Sequence, residues 1–202
     1  SFDKVFKIKN YNFKNLQKSF NLIKPDLIIN LVSYTESNLL KSMIINTILP
    51  INLLKWTIKK NIYLVLIGTA AEYGLSNNKK ISEKTSLRPI SVYGFTKSLQ
   101  SLIINKFYKL YNNKILLFRI FNLSGDVLNQ KTIIGKVNNF FEKHKNTKKT
   151  KILKLGDLSS MRDYLDIKKA ANQMVKLINK NKYGIFNLAS GKATLVRKMV
   201  TT

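Results

Sequence analysis

The chain has 202 residues, 45% of them hydrophobic, which is enough to bury a core of one domain or one and a half and too much for a disordered chain. It contains no cysteine, which excludes disulfides and thiolate metal sites and fits a reducing, cytoplasmic compartment; no apolar run reaches the roughly 20 residues that a membrane-spanning helix needs. The formal net charge of +26 raises nucleic acid as a partner, but the lysines are dispersed among asparagines and isoleucines, and the densest cluster, residues 143–151, reads as a solvated loop.

Residues 13–24 have an amphipathic helical pattern carried by Phe13, Leu16, Phe20 and Leu22 and ended by Pro25. Residues 26–32 form a continuous apolar run, too apolar for one face, which predicts a strand covered on both faces inside a sheet. A long helix is expected over 37–60, with Asn46 in its middle and a bend at Pro50, and then a buried strand over 62–67. A helix over 92–111 and a third buried strand over 114–121 follow. Farther on, the pattern predicts a helix over 131–144, a short strand over 151–155, a helix over 167–179 and a strand over 183–188. Strands alternating with long helices imply an α/β fold with a parallel sheet, whose ligands bind at the carboxyl ends of the strands. That rule puts Val32, Ser33, Thr69, Phe121 and Asn122 on one rim.

The stretch 68–97 concentrates the chemistry. Thr69 ends a strand, and Tyr93 and Lys97 stand four residues apart at the start of a helix, so they share one face. A phenol with a pKa of about 10 is a poor acid or base at neutral pH, and lowering it by about 3 units takes roughly 4 kcal/mol. An ammonium about 4 Å away, at an effective dielectric of about 20, supplies an amount of that order.

The Tyr-x-x-x-Lys pair Tyr93 and Lys97, with Thr69 four places before Tyr73-Gly74, resembles the extended short-chain dehydrogenases/reductases, the NAD-dependent epimerase/dehydratase group that processes nucleotide sugars. PDLIINLVSYT at 25–35, Asn46, FRIFNLSG at 118–125, RDYLD at 162–166 and FNLASG at 186–191 extend the resemblance over nearly the whole chain, and AAEYG with RDYLD is most similar to the GDP-4-keto-6-deoxymannose reductase branch.

The resemblance implies a Rossmann-type doubly wound parallel sheet, incomplete at the N-terminus, with part of a small C-terminal substrate-binding region. Residues 1–125 would form the cofactor domain, rejoined by a helix at 166–180, and 126–165 with 181–202 the substrate-binding part. It implies NAD or NADP as cofactor, held by Val32, Ser33, Tyr93, Lys97 and Phe121, and a nucleotide-sugar substrate, with a homodimer as the full-length enzyme. Tyr93 would be the acid/base, Lys97 would also bind the nicotinamide ribose, and Thr69 would hydrogen-bond the same substrate oxygen. Asn122 and Arg162 match positions that hold the nucleotide sugar, the arginine at the diphosphate; alternatively Arg162 pairs with Asp163 or Asp166. Asn46 either orders the active site or caps a bend.

Two departures refine this picture. The related 4,6-dehydratases carry acidic residues where Ala70 and Ala71 stand, so reduction of a 4-keto-6-deoxy sugar is the expected reaction and C4 epimerisation the alternative. Glu72, one position later, is either a charge at the strand exit or a substrate contact. The eight glycines form no glycine-rich pyrophosphate turn, and the chain opens without methionine, so it is expected to be a portion of a longer protein that lacks the first βαβ unit. From a different class, a basic nucleic-acid-binding module would account for the charge but not for the ordered motifs. No metal site is expected, His144 having no partners at ligand spacing.

Overall fold

The computed structural model describes residues 12–75, 80–111, 113–125, 132–147 and 149–201. Its first half contains α1 (Phe13–Ile23), β1 (Leu27–Asn30), α2 (Leu39–Met43), a π turn (Ile44–Ile48), α3 (Leu49–Lys60), β2 (Tyr63–Thr69) and a 3-10 turn (Ala70–Glu72). Next come α4 (Val92–Tyr111), β3 (Ile115–Ile120), β4 (Asn122–Ser124), α5 (Ile133–His144), β5 (Met161–Asp166), α6 (Ile167–Asn179), β6 (Gly184–Leu188), β7 (Ala193–Leu195) and α7 (Val196–Thr201). The chain divides into two units, 1–120 with 177–187 and 121–176 with 188–202.

The first unit is built on a four-stranded sheet in the order β1-β2-β3-β6, with β1, β2 and β3 parallel. Leu64, Val65 and Leu66 of β2 and Leu116, Leu117 and Phe118 of β3 have no exposed surface, as continuous apolar strands require when helices cover both faces. α1 closes against this core through Leu16 and through Phe20, whose ring lies 5.0 Å from that of Trp56 in α3. The helix starts where the Asn12 side chain accepts from the Asn15 amide at 2.9 Å, and it stops at Lys24, left-handed at φ 49°, just before Pro25. Leu22 lies off the buried face at 75% exposure.

The apolar run over 26–32 reads as an interior strand of the complete sheet and as an unpaired apolar edge in this chain; among the described residues β1 pairs with β2 alone, with Ile29 and, just past the strand, Leu31 exposed. The 37–60 helix forms over Leu39–Lys60, yet it is interrupted by the π turn around Asn46. β6, expected with the substrate-binding part, is a strand of the first unit's sheet.

The second unit contains a three-stranded sheet, β4-β5-β7, in which β5 runs parallel to β4 and antiparallel to β7. The sequence reading missed this sheet. The strand expected over 151–155 does not form: that stretch is without regular structure, and Ile152 is 83% exposed. Among the described residues, no helix is long and apolar enough to cross a membrane.

Candidate active site

Three segments of the first unit converge on Tyr93: the carboxyl end of β2, the loop after β1 and the first turn of α4. Close approach of α4 to the 3-10 turn depends on Gly94, because a Cβ there would lie 2.5 Å from the Ala71 carbonyl oxygen. With α4 seated so, the half-buried Tyr93 phenol comes under the influence of the Thr69 and Ser33 hydroxyls. Thr69 is itself anchored, since its Oγ accepts from the Ala71 amide at 3.3 Å. Burial pushes the Tyr93 phenol above its ordinary value; the Thr69 hydrogen bond opposes this, the Glu72 charge adds to it, and the Ser33 bond opposes it.

Lys97, one turn on, is 1% exposed. Its Nζ donates to the Ile67 carbonyl at 2.8 Å and to Gln100 Oε1 at 3.4 Å, which leaves a third N–H. Burial brings the ammonium down to about 8, against a raising influence from Glu72. Lys97 was expected to draw the phenol down; the net displacement of Tyr93 in this unit is upward, with burial its largest cause. Desolvation acts on both groups, favouring the neutral phenol and the neutral amine.

Glu72 also departs from expectation. It has no exposed surface, and both carboxylate oxygens are engaged inside the unit. Oε1 accepts from the Thr69 amide at 2.8 Å, while Oε2 accepts from Arg119 Nε at 2.8 Å and from the Ser101 hydroxyl. The carboxylate is turned into the unit rather than toward an open surface. The strand-exit and substrate-contact readings both took the chain as extended, but it turns at Ala70 and carries Glu72 inward. Arg119, which the sequence reading did not single out, is a 4% exposed guanidinium in β3 that also donates to the Tyr73 hydroxyl at 3.0 Å.

Asn46 sits in the π turn with no exposed surface. Its Oδ1 accepts from the Tyr34 amide at 2.9 Å, and its Nδ2 donates to the Tyr34 carbonyl at 2.8 Å and to the Thr96 hydroxyl at 3.1 Å. It thereby ties the loop carrying Ser33 to α4. The Val32 amide donates to Asn30 Oδ1 at 3.2 Å.

Phe121, Asn122 and Arg162 belong to the second unit. Asn122 Nδ2 donates to the Asp163 carbonyl at 3.0 Å. Arg162 does not pair as the alternative reading had it. The Asp163 carboxylate accepts the Ser190 and Gly191 amides at 2.8 and 2.7 Å, Asp166 accepts the Lys169 amide at 2.9 Å, and the guanidinium donates to the Met161 carbonyl at 3.3 Å.

A family model described as GDP-mannose 4,6 dehydratase matches residues 4–202. Among curated proteins, the chain is 28% identical over 172 residues to the GDP-6-deoxy-D-talose 4-dehydrogenase of Aggregatibacter actinomycetemcomitans, a match covering 82% of this chain and 56% of that protein. Among solved structures it is similar to RMD from Pseudomonas aeruginosa complexed with NADPH, with TM-score 0.86 and 18% identity over 100% of this chain and 72% of that one. It is also similar to the dTDP-glucose 4,6-dehydratase of Bacillus anthracis in complex with NAD, with TM-score 0.81 and 22% identity over 95% and 60%. These structural likenesses establish the fold. The chain spans 56% of the length of the curated relative.

Proposed function

Because the chain belongs to the GDP-mannose 4,6-dehydratase family, we propose that it is part of a cytoplasmic NAD(P)-dependent oxidoreductase that reduces the C4 carbonyl of a GDP-4-keto-6-deoxy sugar. The observation that carries this reading is the seating of α4 on the carboxyl end of β2, with Gly94 against Ala71 and Lys97 bonded to the Ile67 carbonyl, which brings a half-buried Tyr93 phenol to the Thr69 and Ser33 hydroxyls. Such a group is a proton donor placed with hydrogen-bonding hydroxyls around one oxygen, which is what a carbonyl needs on becoming an alcohol. The name of the curated relative, a 4-dehydrogenase of a GDP-6-deoxy sugar, supports chemistry at that carbon.

The residues present fit the nicotinamide end of a dinucleotide. Lys97 keeps one N–H beyond its two internal acceptors, suited to a ribose hydroxyl, and Ser33 and Val32 lie exposed after β1. The bound cofactor in its reduced form supplies a hydride. Tyr93 gives its proton to the substrate oxygen, Thr69 donates a hydrogen bond to the same atom, and Lys97 steadies the phenolate that is left. Asn122 and Arg162 serve the nucleotide sugar, the arginine at its diphosphate, and the net charge of +26 favours that anion generally.

Dehydration fits less well. It requires a carboxylate at the turn after β2, where Ala70 and Ala71 carry only methyl groups and Glu72 is locked to Arg119. In the full-length protein, Tyr93→Phe keeps the ring and removes the exchangeable proton, so turnover is expected to fall by about 10²-fold or more, the lower range of general acid catalysis, with cofactor affinity unchanged. A variant that retains most of the wild-type rate overturns the role given to Tyr93.

A further inference from the structure

The carboxylate of Glu72 has no place in the chemistry proposed for this site, yet more of the surrounding structure is tied to it than to any of the reacting groups. It lies at the third position of the 3-10 turn and reaches back to the amide of Thr69, while the Thr69 hydroxyl caps the turn in return. The arrangement is tight enough to dictate a neighbour: a Cβ on Gly68 would stand 2.5 Å from Glu72 Oε1. The other oxygen receives two donors from separate elements, Ser101 of α4 and Arg119 of β3. Arg119 in turn donates to the Tyr73 hydroxyl at 3.0 Å and the Glu83 carbonyl at 3.3 Å, and Tyr73 donates to Asn187 Oδ1 at 2.7 Å.

We propose that Glu72 is a positioning residue, whose buried carboxylate, braced by Arg119 and Ser101, fixes the Thr69 backbone and so aims the Thr69 hydroxyl at the Tyr93 phenol. The inference rests on the reading that Thr69 and Tyr93 act on the substrate oxygen. The route is mechanical. With its amide held by Oε1 and its Oγ accepting from Ala71, Thr69 keeps one hydroxyl proton to give, and its hydroxyl acts on the Tyr93 phenol. Loosening the amide frees the strand end to shift, and a misplacement of about 1 Å can cost a reaction on the order of 10²-fold.

The test is a double-mutant cycle in the full-length enzyme, assayed with reduced cofactor and a GDP-4-keto-6-deoxy sugar. Glu72→Gln is expected to lower kcat on the order of 100-fold with little change in KM. In a Thr69→Val background the same substitution is expected to have almost no further effect, because the hydroxyl it acts through is gone. Ser101→Ala removes one brace while keeping the Glu72–Arg119 pair. It should give a smaller loss that also vanishes in the Thr69→Val background, and it carries the cycle if Glu72→Gln fails to fold around an unpaired Arg119. A second readout needs no turnover: hydrogen exchange of the Thr69 amide should quicken in Ser101→Ala while amides elsewhere in β2 keep their protection. Losses of equal size in both backgrounds, or an unchanged Thr69 amide, overturn the proposal. If Thr69→Val alone leaves turnover intact, it is the reading of Thr69 that fails instead.

Discussion

Tyr93 and Lys97 share a face of α4 and a common environment, and burial moves their pKa values in opposite directions because it penalises whichever form is charged. For Lys97 the consequence is measurable. With a folded value of about 8 against an ordinary 10.5, the folded protein binds fewer protons than the unfolded chain across that window. Stability relative to Lys97→Met therefore rises as pH increases through it, and the penalty for burying the ammonium is present in full below pH 8. Nitrogen NMR of the Lys97 Nζ should show a midpoint near 8, and an ordinary lysine midpoint contradicts the burial account. Tyr93, Lys97 and Thr69 were legible in sequence because helical spacing and a strand end place them without long-range information. Glu72 was misplaced although its signal was present: Thr69-x-x-Glu72 has capping-box spacing, which predicts a turn and an inward carboxylate. Arg119 was not legible, since a lone charge in an apolar strand says nothing of a partner 47 residues away.

At the scale of elements, the π turn shows how one proline shapes the site. Pro50 lacks an amide hydrogen, and its ring would clash with a carbonyl four residues back, which is that of Asn46. The ladder widens there, so the Leu49 amide donates to the Ile44 carbonyl five residues earlier, and Asn46 turns inward to Tyr34 and Thr96. Asn46→Leu removes its hydrogen bonds to Tyr34 and Thr96 at a position with no exposed surface, and a typical hydrogen bond contributes about 0.5–1.5 kcal/mol net. Urea unfolding should report a loss in that range, and an unchanged midpoint means that water or a shifted loop replaces the side chain. The helices α4 and α6 were read to the residue because periodicity runs through their whole length, whereas β4 and β7, three residues each, are too short to show any period. The 151–155 run was apolar enough to suggest a strand, but no strand among the described residues pairs with it.

At the scale of the molecule, the apolar run that became β1 carries the largest mismatch between pattern and environment. Ile29 and Leu31 are 44 and 69% exposed in and just after a strand that is an edge among the described residues, a surface that favours strand pairing between copies. Sedimentation of the 202-residue chain should show association that grows with concentration and weakens in Ile29→Lys; a monomer at all concentrations contradicts this. The central claim concerns the reaction, and it is tested most directly by isotope transfer. The full-length protein would be given GDP-4-keto-6-deoxymannose and NADH or NADPH deuterated at the transferable position of the nicotinamide. The account predicts one equivalent of cofactor oxidised per sugar reduced, with deuterium at C4 of the product. Turnover without net cofactor oxidation, or none with either cofactor, would contradict it.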